Sequence, residues 1–318
     1  MASSTTRFLN LDFWTLGTWG IGSLSKPLAL ALFNLGLIAL FCVGTRRCAS
    51  GGFTHHILLA NLAARGAGIT LPEEEGGHPW LLPSDLNDRF ELVWHNLLSY
   101  GLGPASFQLP LGHDSFPFFD RTFDLVLLDG HHLRTQVKTE YARESDHQRL
   151  LLAQLQIGLR CVKEGGTIVM KLSRAEDDLS ARVLFMLDKI TNELHVHKPT
   201  TIHANRPSCY AIAKGVQYGK ILESYVTELQ KLWYEMTFGG SDGRGARTPR
   251  SLLLQDVVSL EVLTEEENLD RLTALGADAW RTQLGAMKEQ HLRYEHTRRP
   301  PAAGVPDIRS RRTGRCHE

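Results

Sequence analysis

Residues 123–172 limit the possible folds most sharply, because two apolar runs flank a long amphipathic stretch and each run ends on a charge. Phe123, Leu125, Val126, Leu127 and Leu128 form a nearly continuous apolar run closed by Asp129, the pattern of a strand covered on both faces. After a polar loop, Ser145 and Gln148 have capping-box spacing. Leu151, Leu152, Leu155, Leu159 and Val162 then recur at helical spacing, with Gln154, Gln156, Arg160 and Lys163 at the positions between them. Gly165 and Gly166 end that helix, and Thr167, Ile168, Val169 and Met170 resume a β-favouring run that reaches Lys171. A strand, a crossover helix and a second strand make a right-handed unit joining parallel neighbours. The sheet is therefore α/β. Asp129 and Lys171 stand at the carboxyl ends of its strands, where open parallel sheets hold their ligands.

The same arrangement recurs upstream, with a strand over 37–43, a Gly51-Gly52 turn, a helix over 54–63 and a short strand over 66–71. Residues 72–117 are rich in turn-formers, among them Pro72, Gly76, Gly77, Pro79, Pro83 and Pro110, and are read as loop. Beyond Lys171, the residues Leu179, Val183, Leu184, Met186, Leu187 and Ile190 mark another amphipathic helix. Strands over 194–198 and 208–213, joined through Asn205, Arg206 and Pro207, give a closing antiparallel hairpin on a mostly parallel sheet. A helix over 217–236 then leads into a glycine-rich segment, and Thr264 with Glu267 opens a helical stretch toward Tyr294. The expected organisation is a poorly patterned segment over 1–27, a Rossmann-like domain over 28–216 and a helical extension over 217–297 with a flexible linker near 239–250. A disordered basic tail over 298–318 completes it.

Composition narrows the function classes. With 42% hydrophobic and 22% charged residues, the chain of 318 residues is not disordered throughout. A formal net charge of +0 gives no global attraction to nucleic acid, so any RNA contact depends on a local basic surface. Five cysteines without CxxC spacing argue against a disulfide framework and point to an intracellular, reducing compartment, cytoplasmic or nuclear. His55-His56 and His131-His132 are adjacent pairs and lack the i, i+4 spacing of a helical zinc site, so no metal is expected. The apolar run over 28–43 falls short of the roughly 20 residues of a membrane-spanning helix and reads as a buried helix entering the first strand. A membrane tether is the alternative for that run.

The Gly-Gly loop after a first strand, Asp129, Lys171 and the terminal hairpin together resemble the FtsJ-like family of RNA ribose 2′-O-methyltransferases. The resemblance spans roughly residues 48–216 and is carried by FDLVLLDGHHLRTQ, LLLAQLQIGLRCVKEGGTIVMKLS and KPTTIHANRPSCYAIAKGVQ, with ASGGFTHHIL and GAGITLPEEEGGH upstream. It implies a Rossmann-like methyltransferase sheet, S-adenosylmethionine as cofactor and RNA as substrate. It also implies catalytic roles for Asp129 and Lys171 and cofactor binding by Ala49, Gly51, Gly52, Phe53 and Asp129. The chemistry is coherent. A methyl sulfonium is already activated, so the protein's task is alignment and help with losing the nucleophile's proton. Either a lysine whose pKa is lowered by partial burial or one that stabilises the developing oxyanion answers that need. Without the resemblance, Asp129 and Lys171 read as an ion pair capping two strands, and Gly51-Gly52 as a turn.

Three positions depart from the family pattern. Thr45 stands where the first strand would end on an acidic residue, and Ser50 where the glycine loop would carry proline. Ser208 stands where the Lys-Asp-Lys-Glu set would place its glutamate, two residues before Tyr210, and Lys26 is the one lysine upstream of the glycine loop. These departures fit a divergent enzyme, or a faulty gene reading over 1–47. They also fit a catalytically inactive module binding RNA or a protein partner through His131, His132, Arg134, Lys138 and the helical extension.

Overall fold

The computed structural model describes residues 52–107, 112–119, 122–131, 145–200, 203–241, 245 and 253–295, and the backbone of 37–42 and 296–298. Its centre is a seven-stranded sheet: β1 (Leu37–Cys42), β2 (Arg65–Thr70), β3 (Phe90–Trp94), β4 (Phe123–Leu128), β5 (Val162–Leu172), β6 (Thr191–His197) and β7 (Cys209–Val216). The spatial order is β3-β2-β1-β4-β5-β7-β6. From β3 through to β5 every pair is parallel, and β7 runs antiparallel to both β5 and β6. The expected α/β sheet with a closing hairpin is thus the observed one. The chain order reverses direction on either side of β1, which makes the β1–β4 boundary a topological switch point.

Alternation along the central strands divides the interior into two cores. Val126, Leu128, Ile168, Met170, Ala211 and Ala213 face one side, with α3 (Asp146–Cys161) and α4 (Asp178–Lys189) packed there. Leu125, Leu127, Val169 and Ile212 face the other, under α1 (Gly52–Ala60) and the short α2 (Ser84–Asn87). Each central strand is apolar on both faces because helices cover both.

Several local readings change. Ser145 makes no side-chain cap; its backbone carbonyl accepts from the amides of Gln148 and Arg149, each at 2.9 Å. The helix stops at Cys161, and Val162, Lys163 and the glycine pair already belong to β5, where the register with β4 shifts between Phe123 and Leu125. Gly165 there takes φ 76°, a conformation that suits glycine. Gln154 and Gln156, expected on the outer face of α3, are buried. The stretch read as loop contains β3, the edge strand beside β2. Thr264 does not open the last helix. Ser259 caps α6 (Leu260–Thr264), and the Thr264 hydroxyl donates back to the carbonyls of Leu260 and Glu261. The second half of the apolar run over 28–43 is β1, hydrogen-bonded between β2 and β4 and so committed to the sheet, not to a spanning helix. Among the described residues no helix is long and apolar enough to cross a membrane.

The helices after the sheet share its core. From α5 (Lys220–Phe238), Leu229, Trp233 and Met236 are buried against α3, and Arg149 of α3 reaches Thr237 at 3.4 Å. From α7 (Glu266–Arg298), Arg271 pairs with Asp188 of α4 at 2.7 Å, and Trp280 donates to Glu176 at 3.0 Å. Arg182, buried in α4, holds Asp178, Gln255 and the Val258 carbonyl. Most of the glycine-rich segment near 239–250 and all of 299–318 lie outside the described residues.

Candidate active site

Strand alternation selects which side chains meet at the ligand edge. Leu125 and Leu127 face α1, so two residues further on Asp129 faces the same way; Val169 sends Lys171 there, and Ile212 sends Tyr210. Leu128 lies beside Met170, and Lys171 beside Tyr210, so three adjacent strands deliver a carboxylate, an ammonium and a phenol in one row. Lys171 Nζ lies 3.0 Å from Asp129 Oδ1, with side-chain exposures of 14% and 4%. Tyr210 donates to the same carboxylate oxygen at 3.4 Å. A pair this dry loses most solvent screening, which makes its geometry stiff and its field strong.

The loop leaving β4 is held from behind. Gln154 of α3 accepts from the Gly130 amide at 2.6 Å and donates to the Gly130 carbonyl at 2.9 Å. A Cβ at position 130 would meet the Gln154 amide at 2.7 Å, so a side chain there displaces the clamp. His131 follows directly, with Nδ1 3.4 Å from Lys171 Nζ and 3.3 Å from the Asp129 carbonyl. Burial pushes this histidine below its ordinary 6.5, the charge on Lys171 pushes it further down, and Asp129 opposes them.

Toward β1 and β2 the character changes. Phe53, in the first turn of α1, packs edge-on against Tyr210 with centroids 6.0 Å apart, linking the start of that helix to the charged row. Thr54 beside it and Thr70 at the carboxyl end of β2 each bury a hydroxyl that has no hydrogen-bond partner among the described residues. Gly52 opens α1; Ala49 and Gly51 lie outside the described residues, as do Lys26, Thr45, Ser50, His132, Arg134 and Lys138. Ser208 precedes β7, and its backbone carbonyl, like that of Arg206, accepts from the buried Lys198. Among the described residues no group of three or more His, Cys, Asp or Glu side chains could hold a metal.

Asp129 and Lys171 are therefore brought together, and Phe53 lies one ring away. Tyr210, Gln154, Thr54 and Thr70 are additions that the sequence reading did not make. Tyr210 could have been found by counting alternate residues back from the apolar positions of the last strand. Gln154 had no such signal: it lies on the sheet-facing row of α3 with Leu150 and Gly158, where a polar residue breaks the apolar periodicity, and its partner Gly130 lies in a loop.

A seven-stranded sheet of this order, with a buried charge pair at the carboxyl ends of β4 and β5, defines the Rossmann-like methyltransferase class. The chain belongs to the FtsJ-like methyltransferase family, whose pattern matches residues 47–216. Among solved structures it is similar to the N-methyltransferase NodS of Bradyrhizobium japonicum WM9, at 14% identity over 60% of this chain and 92% of that one, TM-score 0.36. NodS in complex with S-adenosyl-l-homocysteine matches at 15% identity over 59% and 84% of the two chains, TM-score 0.34. An rRNA methylase of Streptococcus thermophilus matches at 13% identity over 60% and 92%, TM-score 0.35. No curated protein matches the chain.

Proposed function

We propose that this protein is an S-adenosylmethionine-dependent methyltransferase acting on a ribose 2′-hydroxyl of RNA, with Lys171 as its central catalytic residue and Asp129 as its partner. The observation that carries the reading is the buried pair at 3.0 Å, placed at the ends of two adjacent parallel strands. A pair serving stability alone has no need of the ligand edge of the sheet.

The residues between β2 and α1 fit the cofactor. Two buried hydroxyls without partners, Thr54 and Thr70, are donors and acceptors awaiting a polar ligand, and the start of α1 favours negative charge such as a carboxylate. Gly52 and Phe53 share the first turn of α1 with Thr54, and in this reading Ala49 and Gly51 join them at the cofactor. When bound, the cofactor supplies a methyl group on a positively charged sulfur, already reactive toward a nucleophile. Lys171 does the remaining work. Its ammonium gives one N–H to Asp129, lies against His131, and has a further N–H for the acceptor oxygen, where it stabilises negative charge as the hydroxyl proton passes to water. Asp129 fixes the direction of that ammonium and is itself held by Tyr210. A ribose hydroxyl is a weak acid and gains more from this help than a more acidic acceptor would. Membership of the FtsJ-like family supports RNA as its source.

The test uses the full chain, calorimetry with S-adenosylmethionine, and transfer of labelled methyl groups to total RNA followed by nucleoside analysis. Cofactor binding and labelled 2′-O-methylnucleosides are expected. No binding at millimolar cofactor ends the enzymatic reading, and labelled bases in place of labelled riboses reassign the acceptor.

A further inference from the structure

We propose that His131 is a positioning residue for Lys171, its neutral imidazole acting as a second fixed acceptor of the ammonium so that the remaining N–H is aimed at the substrate oxygen. This rests on the methyltransferase reading above and adds a residue to it. An ammonium has three N–H donors and takes its direction from its acceptors, and one acceptor leaves it free to swivel. Asp129 Oδ1 is the first, at 3.0 Å, and His131 Nδ1 is the second, at 3.4 Å. Ser208, at the start of β7, brings no carboxylate to this set.

The environment of the imidazole also makes it a switch. Nδ1 lies between a donor, the Lys171 ammonium, and an acceptor, the Asp129 carbonyl at 3.3 Å. Unprotonated, it accepts from Lys171. Protonated, it donates to the carbonyl and sets a second positive charge beside the ammonium. Both states are hydrogen-bonded, so the exchange strands no buried group. The charged or titratable groups facing the ring are Lys171 from β5, Asp129 from the end of β4 and His203 from the turn between β6 and β7. The first and last oppose protonation and Asp129 favours it, while burial adds to the opposition. At neutral pH the ring is uncharged, as an acceptor with its proton on Nε2 must be, and protonation ends that role only below the ordinary histidine value of 6.5. Gln154 makes the approach reproducible, because it pins Gly130 at both its amide and its carbonyl.

Two measurements test the proposal. In kinetics with S-adenosylmethionine and a transcript pool, His131→Ala lowers kcat about 10-fold to 100-fold with little change in cofactor KM and abolishes the acid limb of the kcat profile. His131→Gln, which keeps an acceptor, restores most of kcat without restoring that limb. An acid limb that persists in His131→Ala, or a kcat within twofold of the parent, overturns the assignment. In the second, the histidine is titrated by NMR without cofactor or RNA, and Lys171→Met raises its midpoint by about one unit because a neighbouring positive charge has gone. An unmoved midpoint overturns it as well. This titration keeps the two hypotheses separable. A protein that transfers no methyl group sinks the proposed function, whereas the coupling of His131 to Lys171 is read directly.

Discussion

At the carboxyl ends of β4 and β5 and the amino end of β7 each charged side chain meets a partner, whereas on β2 and α1 two buried hydroxyls meet none among the described residues. In the first group Asp129, Lys171, Tyr210 and His131 are partnered with one another, one Lys171 N–H excepted, and Gln154 fixes the loop that carries Asp129 and His131. In the second group, a buried hydroxyl left unpaired costs about 1–3 kcal/mol, an expense a chain sheds by substitution unless a ligand offsets it. Under the proposed function, the first half is the prebuilt catalytic machinery and the second is where the cofactor binds. The difference also yields experiments, because changes in one half should leave the other half's readout intact.

The largest separation is expected from Lys171→Ala. Loss of a donor aimed at the developing oxyanion lowers kcat by about 10² to 10³. Cofactor affinity measured by calorimetry stays within a few-fold, since Lys171 belongs to the prebuilt half. A matching collapse of cofactor binding would show that the two halves form one unit and would break the comparison.

Asp129→Asn comes next and reads out in stability as well as rate. The change keeps the shape of the side chain but leaves an ammonium at 14% exposure facing an amide. Breaking a buried pair costs about 3 kcal/mol, visible as a lower denaturant midpoint at unchanged m. The Lys171→Met/Asp129→Leu double variant removes both charges and recovers much of that stability without activity. Stability equal to the parent in Asp129→Asn would mean that solvent reaches the pair.

How far these roles could be read from sequence follows from the kind of signal each one has. Asp129 and Lys171 stood out because each ends an apolar run, which is local information. The sheet class was legible for the same reason, since two strand-helix-strand units and a hairpin allow few arrangements. The alternation of the last strand gives the face Tyr210 takes, but its place beside Lys171 is set by an antiparallel register between segments far apart in the chain. Gln154 was misplaced for a related reason. Helical periodicity assigns polar residues to an outer face, but Gln154 shares the row of Gly158, which packs on Leu128 of β4, and turns its amide to the Gly130 backbone. β3 escaped because turn-formers crowd both its sides, and as an edge strand it keeps Trp94 exposed, which blunts the apolar pattern.

Gln154→Ala tests whether the charged row depends on that hidden clamp. Both Gly130 backbone groups lose their partner, at a cost of about 2 kcal/mol in global stability. The Asp129-His131 loop then explores other conformations, so kcat falls while cofactor affinity holds. Protection of the Gly130 amide from hydrogen exchange should drop in the variant, and unchanged protection would show that the clamp is not what holds the loop.

The smallest effect is the one that probes the other half most directly. Thr54→Val and Thr70→Val each replace an unpartnered hydroxyl by a methyl group of nearly the same volume. Without cofactor, removal of a buried unsatisfied group raises stability by about 1 kcal/mol. With cofactor, the lost hydrogen bond weakens binding about tenfold, which is 1.4 kcal/mol in the opposite direction. The two effects cross, so each variant melts above the parent when alone and gains less from saturating S-adenosylmethionine. A structural threonine predicts a loss in both conditions, and a threonine remote from the ligand predicts the same ligand-induced gain as the parent. Only a hydroxyl kept for the cofactor gives opposite signs, and that crossing would carry the comparison between the two halves into thermodynamics.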